Sequence, residues 1–146
     1  MKYITVFCCS LLISCSSNKV DIRHYQLQEA IISQESPSVT KSSKFYTTSE
    51  DTNVIALVIK EKFNDTIGII INNKLVDEFS KKDTTDCDDC PPNMLFKHYK
   101  INYKTDNIKL YLKNEKKYID IKLNDSYRTY IISRYNLMWY INLWPK

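Results

Sequence analysis

Cys87-Asp88-Asp89-Cys90 is the one short stretch of this 146-residue chain whose residue types and spacing are suited to chemistry. A Cys-x-x-Cys pair can cycle as a redox dithiol, supply half of a zinc site, or close a small loop as a disulfide. Thiolate reactivity needs a depressed pKa, usually from a helix N-terminus or a nearby cation. Here Asp83, Asp86, Asp88 and Asp89 surround the pair and Pro91-Pro92 follows it, so negative charge opposes thiolate formation. Zinc needs two further ligands, and His24 and His98 are the only imidazoles in the chain. These neighbours favour a disulfide between Cys87 and Cys90 that pins a loop, contributing about 2 kcal/mol for so short a closure. Asp83, Asp86, Asp88 and Asp89 are weak metal candidates, as oxygen donors for calcium. They lack the glycine and distal Glu of an EF-hand loop, and a solvated acidic loop is the expectation.

A second constellation is aromatic. Tyr127, Arg128, Tyr130, Tyr135, Trp139, Tyr140 and Trp144 crowd the C-terminal segment. Tyr, Trp and Arg dominate binding hot spots, and flat rings stack on sugars, so these residues form a candidate ligand face. The competing expectation is that they fill the interior of a two-sheet core. For nucleophilic catalysis nothing stands out. Gly68 is the single glycine, which excludes Gly-x-Ser-x-Gly elbows, phosphate loops and dinucleotide fingerprints. No catalytic residue and no cofactor is expected.

The elements that must position these groups are strands. After residue 53, short β-branched and aromatic runs alternate with turn residues, and no helical periodicity of useful length appears. The expected strands are 54–59, 66–71, 75–79, 95–103, 108–112, 118–123, 127–133 and 138–143. Residues 54–59 and 67–71 are nearly all apolar and read as central. Twelve asparagines take the turn positions that glycine usually fills. Asn72-Asn73 signals a tight hairpin, and Asn114-Glu115 and Asn124-Asp125 separate later strands in the same way. The expected fold is all-β, a small antiparallel β-sandwich of seven or eight strands, immunoglobulin-like or transthyretin-like.

The N-terminus supplies an address. Lys2 precedes an apolar run over 3–13, too short to span a bilayer and suited to a secretory signal. Leu12-Ile13-Ser14-Cys15 then resembles the lipobox of bacterial lipoprotein signal peptides. That resemblance covers residues 1–15 only. It implies cleavage between Ser14 and Cys15 and a diacylglycerol thioether on Cys15, hence a lasting anchor in the lipid bilayer through acyl chains. Cys8 and Cys9 would leave with the signal, so Cys87 and Cys90 remain as one pair in a disulfide-permissive compartment. Three segments follow: a signal peptide over 1–14, a lipid-anchored tether with a Ser/Thr-rich spacer over 15–53, and the β-sandwich domain over 54–146. Residues 16–32 fit either a tether or a first strand.

The net charge of +4 is too small to indicate nucleic acid, but it is uneven. Residues 95–146 carry +7 and residues 1–94 carry −3. A basic half on a tethered protein suits acidic headgroups or an acidic partner, although lysine-studded strands also serve simply to protect sheet edges. Asp65-Thr66-Ile67 and Asp83-Thr84-Thr85 resemble a short bacterial O-glycosylation sequon. Together these readings describe a non-catalytic binding or assembly module of the cell envelope, with an envelope protein or glycan as partner. The alternatives are an inhibitor or immunity-type protein against a lytic enzyme or toxin, and an envelope enzyme. Ser16 and Ser17, in place of an inner-membrane retention Asp, favour the outer membrane.

Overall fold

The apolar run Val54–Ile59 and the isoleucine-rich run Asn64–Ile71 become interior strands of two different sheets. The computed structural model describes residues 19–34, 53–60, 63–82 and 94–145. In chain order the strands are β1 Gln26–Leu27, β2 Ala30–Gln34, β3 Val54–Ile59, β4 Asn64–Ile71, β5 Lys74–Lys82, β6 Leu95–Lys100, β7 Ile108–Leu112, β8 Lys117–Ile121, β9 Tyr127–Tyr135 and β10 Met138–Pro145. Sheet A has the order β1-β8-β7-β4-β5 and sheet B the order β2-β10-β9-β3-β6. Their inner faces share one core. Ile67, Ile69, Leu110, Leu112, Ile119 and Ile121 come from sheet A, and Ile55, Leu57, Ile59, Tyr130, Ile132, Trp139 and Ile141 from sheet B.

Two parts of the expectation change. Ten strands are described rather than seven or eight, and the sheets are mixed rather than antiparallel: β1 pairs with β8, β2 with β10 and β3 with β9 in parallel. The extra strands are β1 and β2, short and largely exposed edge pieces that carry no strong alternation. The β3–β9 pairing has a clearer cause. Ile55 to Ile59 are all buried, so β3 is covered on both faces, and parallel pairing favours such continuous apolar runs. Both flanks of the Ser/Thr-rich segment 35–52 therefore belong to sheet B. Among the described residues, the first strand begins at Gln26.

Asparagine performs the β4–β5 turn, where Asn72 and Asn73 have φ of 51° and 62°. In the β7–β8 turn the left-handed residue is Lys116, with φ 52°, rather than Asn114. Asn124-Asp125 behaves differently, because β8 and β9 lie in different sheets and the turn carries the chain across. Its anchor is Tyr130. The buried hydroxyl accepts from the Asn124 amide at 2.9 Å and donates to the Asn124 carbonyl at 3.3 Å, and burial pushes its pKa up to about 12. Removing that oxygen strands a half-buried amide. Tyr130→Phe is expected to lower stability by about 1–2 kcal/mol in urea denaturation, with the native fold retained.

Gly68 has a specific task. It sits directly opposite Tyr111 in the β4–β7 ladder, and a Cβ built there would lie 2.0 Å from the Tyr111 ring. The ring lies over the glycine backbone, Tyr25 meets it edge-on at 5.5 Å, and its hydroxyl donates to Glu78 of β5. A glycine in a strand interior marks close approach of a neighbour, and an aromatic partner restores the packing it lacks. Gly68→Ala should cost about 1–3 kcal/mol by overpacking. Chemical denaturation of Gly68→Ala, Tyr111→Ala and the double variant should show that the two losses do not add.

Candidate functional site

Asp65 begins the construction of one end of the molecule. It is buried at the start of β4, and its carboxylate accepts from the backbone amides of Thr66 at 2.6 Å, Asn114 at 2.9 Å and Glu115 at 3.1 Å. Those bonds set the β7–β8 turn so that Glu115 faces Arg134 on the inner face of β9. The guanidinium donates twice, at 2.6 Å and 2.9 Å, to the two carboxylate oxygens. Arg134 is only 5% exposed and lies 5.2 Å over the ring of Trp139, its partner across the ladder. Trp139 in turn packs on Phe63 at 5.7 Å. A charge this deep is tolerable only when paired, and the two-pronged geometry supplies both charge and direction. The Arg134 hydrogen bonds hold the Glu115 carboxyl below its usual range, and Lys117, 3.3 Å away, adds to this.

Beyond the clamp the β9–β10 hairpin projects. Its turn residues Asn136 and Leu137 have φ of 48° and 66°. Asn accepts that left-handed conformation, whereas a leucine there is strained. Leu137 is nonetheless 67% exposed, and the facing pair Tyr135 and Met138 are 60% and 47% exposed. Arg134 and Trp139 point inward, so strand alternation turns Tyr135 and Met138 to the outside. Asn64, Glu115, Arg134, Tyr135, Asn136 and Leu137 line a shallow depression of about 270 Å³ at the base of the tip. An apolar cluster thus stands in solvent above the clamp of Asp65, Glu115 and Arg134.

The structure divides the aromatic candidates. Tyr130 and Trp139 are core side chains, and Tyr127 is half-buried against that core. Tyr140 and Trp144 are half-buried on the outer face of sheet B, and Arg128 is half-buried where the β9–β10 ladder shifts register. Of the seven, Tyr135 alone is exposed. The residues that join it, Leu137 and Met138, were not singled out from sequence. The signal available was Asn136, a turn residue between two strands, which places its neighbours at a hairpin tip.

Cys15, Ser14, Cys87, Cys90 and the aspartates Asp83, Asp86, Asp88 and Asp89 lie outside the described residues. His24 is exposed before β1, and His98 is exposed on the face of β6 opposite Lys97 and Tyr99. Asp65 of the first sequon-like triplet is buried and committed to backbone amides, which accounts for an aspartate there structurally. Among the described residues no group of three or more His, Cys, Asp and Glu is arranged to hold a metal.

Two more carboxylates tie edge strand β5 to its neighbours. Asp77 accepts from Tyr99 at 3.0 Å and meets Lys97 at 2.9 Å, joining β5 to β6 of the other sheet. Glu78, on the opposite face, accepts from Tyr111 and from Lys113 at 2.9 Å. Burial works against the Asp77 charge, but the Lys97 and Tyr99 hydrogen bonds outweigh it and lower its pKa; Tyr111 and Lys113 lower that of Glu78. Comparison with family models, with curated proteins and with solved structures gives no match to this chain.

Three depressed carboxyls fix the sign of the pH response. Their contribution is complete above the unfolded values, near 4 to 4.5, and is lost as pH falls through the lower native values. Stability measured by denaturation should therefore drop on the acid side. Glu115→Gln should flatten part of that drop and cost about 2–4 kcal/mol at neutral pH, less than a fully enclosed pair because the Glu115 side chain is about one-third open.

Proposed function

We propose that this chain is a lipid-anchored protein of the bacterial cell envelope whose two-sheet domain is a non-catalytic binding or assembly module. The observation that carries the reading is the tip formed by Tyr135, Leu137 and Met138. Three large apolar side chains are held in solvent, one in a strained backbone conformation, on a base locked by Asp65, Glu115 and Arg134. Strain and exposed apolar surface both lower stability, and their coincidence on a rigid support marks a contact surface. The lipobox-like Leu12-Ile13-Ser14-Cys15 supports the anchor. No helix of the described residues is long and apolar enough to cross a membrane.

Within the two-sheet folds, Tyr130 supports an immunoglobulin-like reading. Its hydroxyl reaches back to the backbone six residues upstream, at the corner where the chain changes sheets, as in the tyrosine corner of that fold. The parallel pairings of β1, β2 and β3 depart from the antiparallel immunoglobulin sheets. An envelope protein or glycan remains the partner class for the aromatic face of sheet B, where Tyr140 and Trp144 are half-buried.

The anchor is tested by labelling cells with radioactive palmitate. The full-length chain should incorporate label and fractionate with membranes. Cys15→Ser should lose the label and leave the membrane fraction after a high-salt wash. Unlabelled wild-type protein in the soluble fraction would refute the anchor.

A further inference from the structure

We infer that β2 is a pairing edge for a second copy of this chain, the two β2 strands running antiparallel about a two-fold axis at Ile31 so that the two B sheets join into one. This goes beyond the reading above, since it rests on the sheet edges and not on the Cys15 anchor or the hairpin tip. Four strands end the two sheets: β1 and β5 in sheet A, β2 and β6 in sheet B. Natural sheets blunt such edges with short strands, bulges or lysines. β1 is two residues long. β5 shifts register against β4 between Ile69 and Ile70 and carries Lys74, Lys81 and Lys82. β6 carries Lys97, His98 and Lys100. β2, Ala30-Ile31-Ile32-Ser33-Gln34, has none of these protections. It is uncharged, free of proline and glycine, and in unbroken register with β10 over all five residues.

The chemistry of the edge defines what can cover it. Alternate residues of an edge strand turn their N–H and C=O groups away from the sheet, and another extended backbone matches their spacing. Ile31 and Ile32, both 48% exposed, call for apolar side chains on both faces as well. Ile31 lies on the outer face beside Tyr140, and Ile32 on the core side opposite Ile141. On that core side Ala30 and Ile32 of β2, Leu27 of β1 and Asp120 of β8 line a groove of about 340 Å³ where the two sheets part. An antiparallel copy of β2 meets all of these demands. With the axis at Ile31, Ile31 faces Ile31, Ala30 faces Ile32 and Glu29 faces Ser33, so no like charges are opposed. Each Ile32 then lies against the partner's Ala30 at the lip of the groove. β5 or β6 paired with its own copy would instead set lysines near lysines. Charge therefore selects β2 among the four edges, and its own sequence as the complement. The joined sheet has ten strands, five from each copy, and its free edges are the two lysine-bearing β6 strands. Such a pairing is isologous and closed, so the open edge is consumed without propagating a fibre.

The test is sedimentation velocity of the full-length chain in a non-ionic detergent, with site-directed cross-linking of the same material. Wild-type protein should pass from monomer to dimer as its concentration rises. Ile31→Lys sets two ammonium groups at the axis and should weaken dimerisation about tenfold or more, with urea resistance unchanged because the side chain is half exposed in the monomer. Mixing Ile31→Lys with Ile31→Glu chains should restore a dimer, an outcome that misfolded variants would not give. Under mild oxidation Ile31→Cys should form a covalent dimer on a non-reducing gel, and wild type and Ser33→Cys markedly less. A wild-type chain that stays monomeric at every concentration, a dimer indifferent to Ile31→Lys, or Ile31→Cys cross-linking no better than Ser33→Cys overturns the proposal. Hydrogen exchange that finds the outward β2 amides protected in the monomer shows the edge covered within the single chain, and overturns it equally. Palmitate labelling reports the anchor separately, so loss of one reading is not mistaken for loss of the other.

Discussion

The buried charge of Arg134 is the constraint around which one end of this molecule is arranged. A guanidinium inside a two-sheet core has to find a carboxylate, and no strand of its own sheet supplies it. Glu115 does so from the β7–β8 turn of the other sheet, and it can only because Asp65 holds that turn by its amides. One ion pair therefore fixes the spacing of the sheets at that end, the tilt of Trp139 beneath it and the base from which the β9–β10 hairpin rises. Breaking a buried pair costs far more than an equivalent exposed one, so the geometry is rigid where the solvent-facing tip begins.

At the far edge the same logic is repeated with less burial. Asp77 and Glu78 are adjacent on β5 and point to opposite faces, and each is held by one tyrosine and one lysine. Edge strands invite pairing with other chains, and this one is pinned on both sides while Lys74, Lys81 and Lys82 add charge along it. The burial that raises the Tyr99 and Tyr111 pKa values, reinforced by these carboxylates, keeps both hydroxyls protonated and donating.

Eight strands were legible in the sequence because period-two alternation and β-branched runs are strong where a sheet has one buried face. Ile119 and Ile121 inward with Tyr118 and Asp120 outward is such a case. β1 and β2 were left open because edge strands of two and five residues, exposed except for Ala30, leave no pattern to read. Pairing direction was not legible, since it depends on which strands meet across sequence distance. The aromatic face was half legible. Composition identified Tyr130, Tyr135, Trp139 and Tyr140 as one group, yet alternation along β9 and β10 sends Tyr130 and Trp139 inward and Tyr135 and Tyr140 outward. Counting the period through Asn136 would have separated them and added Leu137 and Met138. The role of Gly68 was not legible at all, because it rests on Tyr111, more than forty residues away.

The parallel pairing of β1 with β8 has a mechanical meaning. If the chain is held by its N-terminus, as proposed, and engaged elsewhere, it is pulled through Gln26, along the direction in which β1 runs. Gln26 and Gln28 donate side by side to the carbonyls of Lys116 and Tyr118. Tension on such an anchor would load those bonds in shear, together, instead of peeling them one at a time. The shortest of the described strands would then sit where a leash joins a body, oriented to bear traction.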